Sequence, residues 1–477
     1  MHPTTVVTGS RVFLSDNTDA IFATIVVDNS SGKVVEIHPE QPDAARYPDA
    51  EWIDAGDHIV MPGIVDAHVH LNEPGRTDWE GFYTGTRAAA SGGVTTVVDM
   101  PLNSIPPTTT VENLEEKRKA ANGQCWTDVG FWGGVIPGNQ GDLKPLIEAG
   151  VKGFKCFLIE SGVDEFPCVS EDDLKLAMEE LQNTPTVLQF HAELETHHAH
   201  SPPLPEPAPA NPTLYSTFLN SRPPSLELSA ISLITRLLAS YPSLRAHIVH
   251  LSAADAIPLI KDAKAKGLKL TVETCFHYLA FTSQSIPDGH PEFKCCPPIR
   301  TAENREALWA ALEDGTIDFV VSDHSPCVAE LKKLGPEPGT GDIMGAWGGI
   351  STLGLGMSVL WTELQKRTSA GQGENSANVR KLIRWLSTMT AKHASLDGRK
   401  GRIAVGSDGD LVIWDPNAEV EVTKTSLNFK NKLSPYEGLH LHGKVEKTIL
   451  RGRVVYDTDR AGVDKFENGP GPVGTLL

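Results

Sequence analysis

Short apolar runs recur along the middle of the chain, separated by stretches with helical spacing. Eight such runs centre on Ile64-Val65, Val94–Val98, Val129–Trp132, Gly153–Phe157, Thr186–Phe190, Ala246–Val249, Leu268–Val272 and Ile317–Val321. Consecutive apolar positions, rather than alternating ones, suit strands covered on both faces, as parallel strands are when helices cross over between them. The gaps at Glu112 to Ala121 and Glu171 to Leu181 carry apolar residues at helical spacing, and Ser170 stands where it can cap the second. The pattern is α/β, and eight strand–helix units over residues 61–400 predict a closed (β/α)₈ (TIM) barrel.

Two gaps read differently. From His197 to Pro224 the chain is crowded with proline (Pro202, Pro203, Pro205, Pro207, Pro209 and Pro212), which predicts an extended loop over the barrel mouth, and 366–377, rich in Ser, Gly, Asn and Gln, predicts an exposed loop. Both chain ends are β-rich. Val6-Val7 leads to a turn at Gly9-Ser10, followed by strand-like Phe22–Val27 and Lys33–Ile37. Near the other end Asp410–Trp414 and the strand-turn-strand segment Lys447–Tyr456 share this texture. Residues 1–60 and 401–477 are therefore expected to form one small β domain.

With 477 residues, 40% hydrophobic and 22% charged, the chain has ample material for a large core, and no apolar stretch is long enough for a membrane helix. A formal net charge of -19 repels phosphate backbones and anionic lipid, so neither nucleic acid nor a membrane is expected as a partner. A small neutral or cationic molecule fits better. The amino terminus lacks a basic region followed by an apolar core, which makes the cytosol the expected compartment. Seven scattered cysteines without a Cys-x-x-Cys pair read as reduced thiols.

Candidate chemistry begins at His68 and His70. Two apart on a strand, they share a face and suit one metal ion, but the pair alone fits ordinary strand-end histidines equally well. The ends of other runs add Lys155, His191, His250 and Asp323, and strand ends are where barrels build their active sites. Lys155 lies between Phe154 and Cys156-Phe157. A buried amine there would lose its proton easily and could take up carbon dioxide, giving a carbamate suited to bridging two divalent metals; the alternative is a lysine that snorkels to solvent. Asp323 could bind metal and handle a proton, or simply cap a helix. His247 and His250 lie three apart and should face opposite ways, so only one is expected inside the barrel; His250, ending the run, is chosen. Asp66 shares the parity of His68 and His70 and is expected either to orient one of them or to be structural. His197, His198 and His200, set in the proline-rich loop, lack the rigid frame a metal site needs.

Taken together, Pro62–His70, Glu73–Gly81, Asp99–Asn103, Gly153–Phe157, Glu273–Leu279, Lys294–Arg300, Ser322–Cys327 and Ala346–Ile350 resemble the allantoinases of the cyclic amidohydrolase superfamily over nearly the whole chain. The resemblance implies a barrel with a small β-sandwich and two divalent metals, usually Zn²⁺. His68, His70 and Asp323 would hold one, His191 and His250 the other, and Lys155, as N6-carboxylysine, would bridge them. It further implies ring-opening hydrolysis of (S)-allantoin to allantoate in purine catabolism, by hydroxide that the two metals activate, with Asp323 moving the proton, in a homo-oligomer of four subunits.

Detail separates the relatives. Dihydroorotases place an arginine where Asn72 stands, which favours a neutral ring here; hydantoinases place a tyrosine where Glu160 stands; Cys296 replaces the family's serine. Asn72, Asn103 and Cys296 are the candidate substrate contacts. The competing expectations are a hydantoinase, dihydropyrimidinase or dihydroorotase, a mononuclear deaminase with no need of Lys155, and a non-catalytic scaffold, from which ligands would have been lost.

Overall fold

The computed structural model describes residues 2–195, 211–337, 339–367, 376–460, 464–466, 469 and 471–477. All eight predicted central runs are strands: Ile64–Val69, Val94–Asp99, Asp128–Phe131, Phe154–Phe157, Val187–His191, Arg245–Ile248, Leu270–Cys275 and Phe319–Val321. Each pairs in parallel with the next, the short Gly133–Gly134 strand carrying the pairing from the third to the fourth. The ring closes where Val69 bridges His324 and His70 N donates to His324 O at 2.8 Å. This is a (β/α)₈ barrel. Phe131, Trp132, Phe154 and Phe190 are buried in its core, and the Trp132 indole donates to Ala67 O at 2.8 Å across the interior.

The two helices anticipated from spacing form at Val111–Ala121 and Glu171–Leu181. Ser170 caps the latter in a reciprocal box: its hydroxyl accepts from Asp173 N while the Asp173 carboxylate accepts from Ser170 N.

The proline-rich stretch departs from expectation. Residues 196–210, including His197, His198 and His200, lie outside the described residues, but Tyr215–Ser221 is a helix and Pro224 opens the helix Pro224–Leu238. Tyr215 and Phe218 drive the local folding by burying their rings, with Tyr215 Oη donating to Ile299 O at 3.0 Å; a proline at the first turn of the next helix loses no hydrogen bond. The predicted loop 366–377 also differs at its ends, where Gly356–Arg367 and Ser376–Ile383 are helical; 368–375 lie outside the described residues.

Strands from both ends make one mixed sheet. Arg453–Asp457, His440–Leu450, Leu411–Glu421, Ile59–Pro62, Thr4–Val12, Ile21–Asp28 and Lys33–His38 follow in order, with Glu51–Asp54 alongside Thr4–Val12. The expected turn at Gly9-Ser10 is instead an irregularity within the first strand. A Cβ at Gly9 would lie 3.3 Å from both Ala55 and Val60 side chains, so the glycine serves close strand packing rather than reversal. Lys400, buried, joins this sheet to the barrel: its Nζ lies 2.6 Å from Asp128, 2.7 Å from Asp410 and 2.9 Å from Asp408. Among the described residues no helix is long and apolar enough to cross a membrane.

Candidate metal centre

At the carboxyl ends of the barrel strands a cavity of about 300 Å³ is lined by His68, His70, Lys155, His191, His250 and Asp323, the six side chains chosen from sequence. They come from the first, fourth, fifth, sixth and eighth strand ends, so the fold gathers groups up to 255 positions apart in sequence. Asp323 and His250 sit just beyond their strands with φ of 44° and 41°. That left-handed backbone is costly for residues with a Cβ and turns both side chains back over the barrel mouth.

The donor atoms converge. Asp323 Oδ1 lies 3.2 Å from His68 Nε2 and 3.5 Å from His70 Nε2. His191 Nδ1 and His250 Nε2 are 3.0 Å apart. Ligand atoms at metal bonds of about 2.0–2.1 Å around a tetrahedron are separated by roughly 3.4 Å, so both groups have the spacing that a shared small cation demands. Their protonation fits too. Burial drives the His68 and His250 imidazoles well below their ordinary range and lowers His191, leaving neutral rings with a lone pair to offer.

Carboxylates behind the rings decide which nitrogen is free. Glu273 Oε1 accepts from His68 Nδ1, which leaves His68 Nε2 facing Asp323. Glu193 Oε2 accepts from His191 Nε2 at 2.7 Å, leaving Nδ1 to face His250. Asn103 Nδ2 stands 3.3 Å from His70 Nδ1. The two carboxylates fix ring orientation and raise the basicity of the ligating nitrogen.

Lys155 does not snorkel. It is 1% exposed, its ammonium lies 5.2 Å above the Phe157 ring, and burial pulls it down to about 8 against the opposing pull of Asp323 and Glu273. Phe157 stacks in turn on His191, centroids 4.5 Å apart and 10° from parallel. Asp323 caps no helix; the next begins at Ala329.

Several expectations need correction or refinement. Asp66 hydrogen-bonds to no imidazole ring among the described residues: its carboxylate accepts from the backbone N of His68 at 3.4 Å and of Ser322 at 3.3 Å, so it ties the first and eighth strands together. His247 also points inward, contrary to the parity argument, its Nε2 lying 3.1 Å from Glu273 and its ring stacking on Phe319. Strand alternation stops at Ile248, and the left-handed turn at His250 reorients that ring independently. Asn103 and Cys296 line the cavity, whereas Asn72 is buried behind it, with Nδ2 3.5 Å from Pro326 O. Glu160 lines it where hydantoinases place tyrosine.

Glu273, Glu193 and Arg222 were not singled out from sequence. Glu273 had one available signal, an acidic side chain inside an otherwise buried strand; Glu193 follows His191 at the spacing of one strand face. Arg222 had none. A second potential ligand set, Cys275, His277 and Asp323, reuses the same carboxylate, but burial holds the Cys275 thiol well above its ordinary range and so protonated.

Comparison with known proteins agrees with this geometry. The chain is 46% identical over 454 residues to an allantoinase of Saccharomyces cerevisiae, covering 94% of each. It is 54% identical over 349 residues to a mitochondrial allantoinase of Aquarana catesbeiana, covering 73% of this chain and 68% of that one. Among solved structures it resembles the L-hydantoinase (dihydropyrimidinase) of Arthrobacter aurescens, with TM-score 0.85, 28% identity and coverage of 100% and 99%, and the dihydropyrimidinase of Brevibacillus agri, with TM-score 0.82, 25% identity and coverage of 99% and 98%. Residues 59–455 match the amidohydrolase family model, and the chain belongs to that family.

Proposed function

We propose that this chain is an allantoinase, a metal-dependent hydrolase that opens the cyclic amide of (S)-allantoin to give allantoate. One observation carries the reading: His68, His70, Lys155, His191, His250 and Asp323 line a single cavity, in which Asp323 lies 3.2 Å from His68 and 3.5 Å from His70, and His191 lies 3.0 Å from His250. The 46% and 54% identities to allantoinases support the choice of substrate.

In this proposal His68, His70 and Asp323 would hold one divalent ion and His191 and His250 a second, with Lys155, as the carbamate formed with carbon dioxide, available to both; zinc suits the imidazole-rich donor set. When bound, such ions lower the pKa of water to about 7 and polarise an amide carbonyl. The protein's own groups do the rest. Glu273 and Glu193 hold His68 and His191 in the tautomers that present Nε2 and Nδ1. Asp323, at the cavity edge and 8% exposed, is placed to take the nucleophile's proton and return it to the departing ring nitrogen. Asn103 and Cys296 border the substrate space.

The proposal further includes a cytosolic homotetramer, and two units, residues 1–60 with 401–477 and the barrel at 61–400. The deciding experiment offers purified protein allantoin, dihydroorotate, hydantoin and dihydrouracil before and after chelation. Allantoin turnover that chelation abolishes and zinc restores is expected; turnover of dihydroorotate without allantoin would overturn the substrate.

A further inference from the structure

The metal cavity does not end at the metal ligands. A second cavity of about 260 Å³ adjoins it, and Arg222, Lys294 and Cys296 line both. Ser221, Phe218 and Glu195 line only the outer one. A substrate whose ring occupies the inner chamber would carry any substituent past these three shared residues.

They differ in what they can offer. Lys294 is committed to the protein: its Nζ donates to Met344 O and Ala346 O, each at 2.7 Å, pinning the loop beside the cavity. Cys296 is a half-buried, weakly polar thiol. Arg222 remains. Among the described residues its guanidinium donates through Nη1 alone, to Glu193 Oε2, while the side chain stays 23% exposed and lines both chambers. Glu193 anchors it at one nitrogen, and the same carboxylate oxygen also accepts from His191. An arginine so anchored presents its remaining N–H groups in a fixed fork, the geometry that grips a planar carbonyl or carboxylate oxygen.

Allantoin is a hydantoin ring bearing a ureido arm. We infer that Arg222 is the specificity-determining residue that reads this arm, its free N–H edge donating to the ureido carbonyl oxygen at the passage between the chambers. The inference rests on the reading of the chain as an allantoinase. It explains how a barrel resembling hydantoinases would prefer a ureido-bearing ring: a donor placed to meet a carbonyl discriminates against rings that lack one.

The test compares wild type, Arg222→Met and Arg222→Lys as metal-loaded proteins. For each, kcat and KM for allantoin, bound metal per chain and the inhibition constant of unsubstituted hydantoin are measured. Arg222→Met is expected to raise KM roughly 10- to 100-fold, as for the loss of a charged hydrogen bond, with metal content retained and hydantoin inhibition unchanged. Arg222→Lys keeps a cation beside Glu193 but loses the fork, and should also raise KM. An unchanged KM in a folded variant overturns the inference. So does a joint fall of kcat and bound metal at constant KM, which would mean that Arg222 acts only through Glu193 on His191. Failure of the wild type to open allantoin would overturn the functional reading itself, a result separate from the ratio between variant and wild type.

Discussion

Glu273 links two histidines of different standing: one carboxylate oxygen accepts from Nδ1 of His68, a ring that lines the cavity, while the other lies 3.1 Å from Nε2 of His247, a fully buried ring that does not. Desolvation pushes the buried carboxyl well above the ordinary range, with Lys155 opposing, and it is the ionised form that accepts from Nδ1. Its hold on His68 is what leaves Nε2 free to ligate. Glu273→Gln keeps the shape but replaces one acceptor oxygen with a donor amide, which conflicts with a protonated Nδ1. Metal affinity is expected to fall about 10- to 100-fold, as when other outer partners of ligating histidines are removed. Competition with a zinc chelator measures it, and retention equal to wild type would deny Glu273 this role.

Lys155 makes a pH-dependent prediction. Its ordinary value is near 10.5 and burial lowers it to about 8, so the folded protein without carbon dioxide binds fewer protons than the unfolded chain between those values. Stability of that form therefore rises with pH across this window. At pH 7 roughly a tenth of the amine is neutral, against less than about a thousandth for an exposed lysine, and only the neutral form combines with carbon dioxide. Uptake of labelled bicarbonate by metal-stripped protein should climb with pH and level off above about 8. Intact mass should show one added carbon dioxide, absent from Lys155→Ala, and that variant should lose the second metal and at least about a thousandfold in kcat. A Lys155→Ala protein with both metals and full activity would sink the bridging role.

How far the sequence carried can be seen residue by residue. Buried parallel strands leave a local record, runs of apolar residues, and every barrel strand was visible by that signal, as was the Ser170 cap. The proposed ligands were legible because a polar, metal-competent group at the end of an apolar run is conspicuous. What stayed hidden depends on three-dimensional proximity. Arg222 follows a short helix far from any ligand in sequence, and only the fold brings it against Glu193. The orientation of His250 depends on a positive φ that strand periodicity does not encode, which is why the parity argument misplaced His247. Prolines marked the 197–224 stretch as loop, yet the burial of Tyr215 and Phe218 outweighs that local preference and forms a helix.

Gly349 offers a test of how tightly the loops hold Asp323. A Cβ there would lie 2.2 Å from Ser325 O and 2.7 Å from its Oγ, with backbone on one side that has little room to yield. Ser325 N already donates to Ile350 O at 3.1 Å, and Ser325 lies two residues beyond Asp323. Gly349→Ala should displace this segment. A shift near 1 Å at a reacting group costs about 100-fold, so kcat is expected to fall by that order while most of the barrel stays folded. Wild-type kcat in the variant would show that the segment relaxes without moving Asp323.

Lys400 provides the prediction farthest from the metal centre. Its ammonium is buried among Asp128, Asp408 and Asp410, so it occupies the place a cation would take in that acidic cluster. Desolvation raises the Asp408 carboxyl, but Lys400 and Lys33 outweigh it and hold the group down at about 2. A depressed carboxyl contributes stability that is fully present above its unfolded value of about 3.9 and lost as pH falls towards 2. For Lys400 desolvation lowers the value, yet the three carboxylates raise it overall, so its contribution is present below about 10.4 and lost only as pH rises beyond its elevated value. Lys400→Met removes the shared cation and leaves Arg451 paired with Asp128, and Arg399 and Lys33 paired with Asp408. Breaking a buried ion pair by deleting one partner costs about 3–5 kcal/mol, and denaturant unfolding at pH 8 should show a loss of that order. Asp410, whose ion pair is with Lys400, should protonate more readily in the variant than in the wild type. The deficit should therefore shrink as pH is lowered from 8 to 5. A deficit that stays constant over this range would assign the loss to the packing of the lysine stem rather than to its charge.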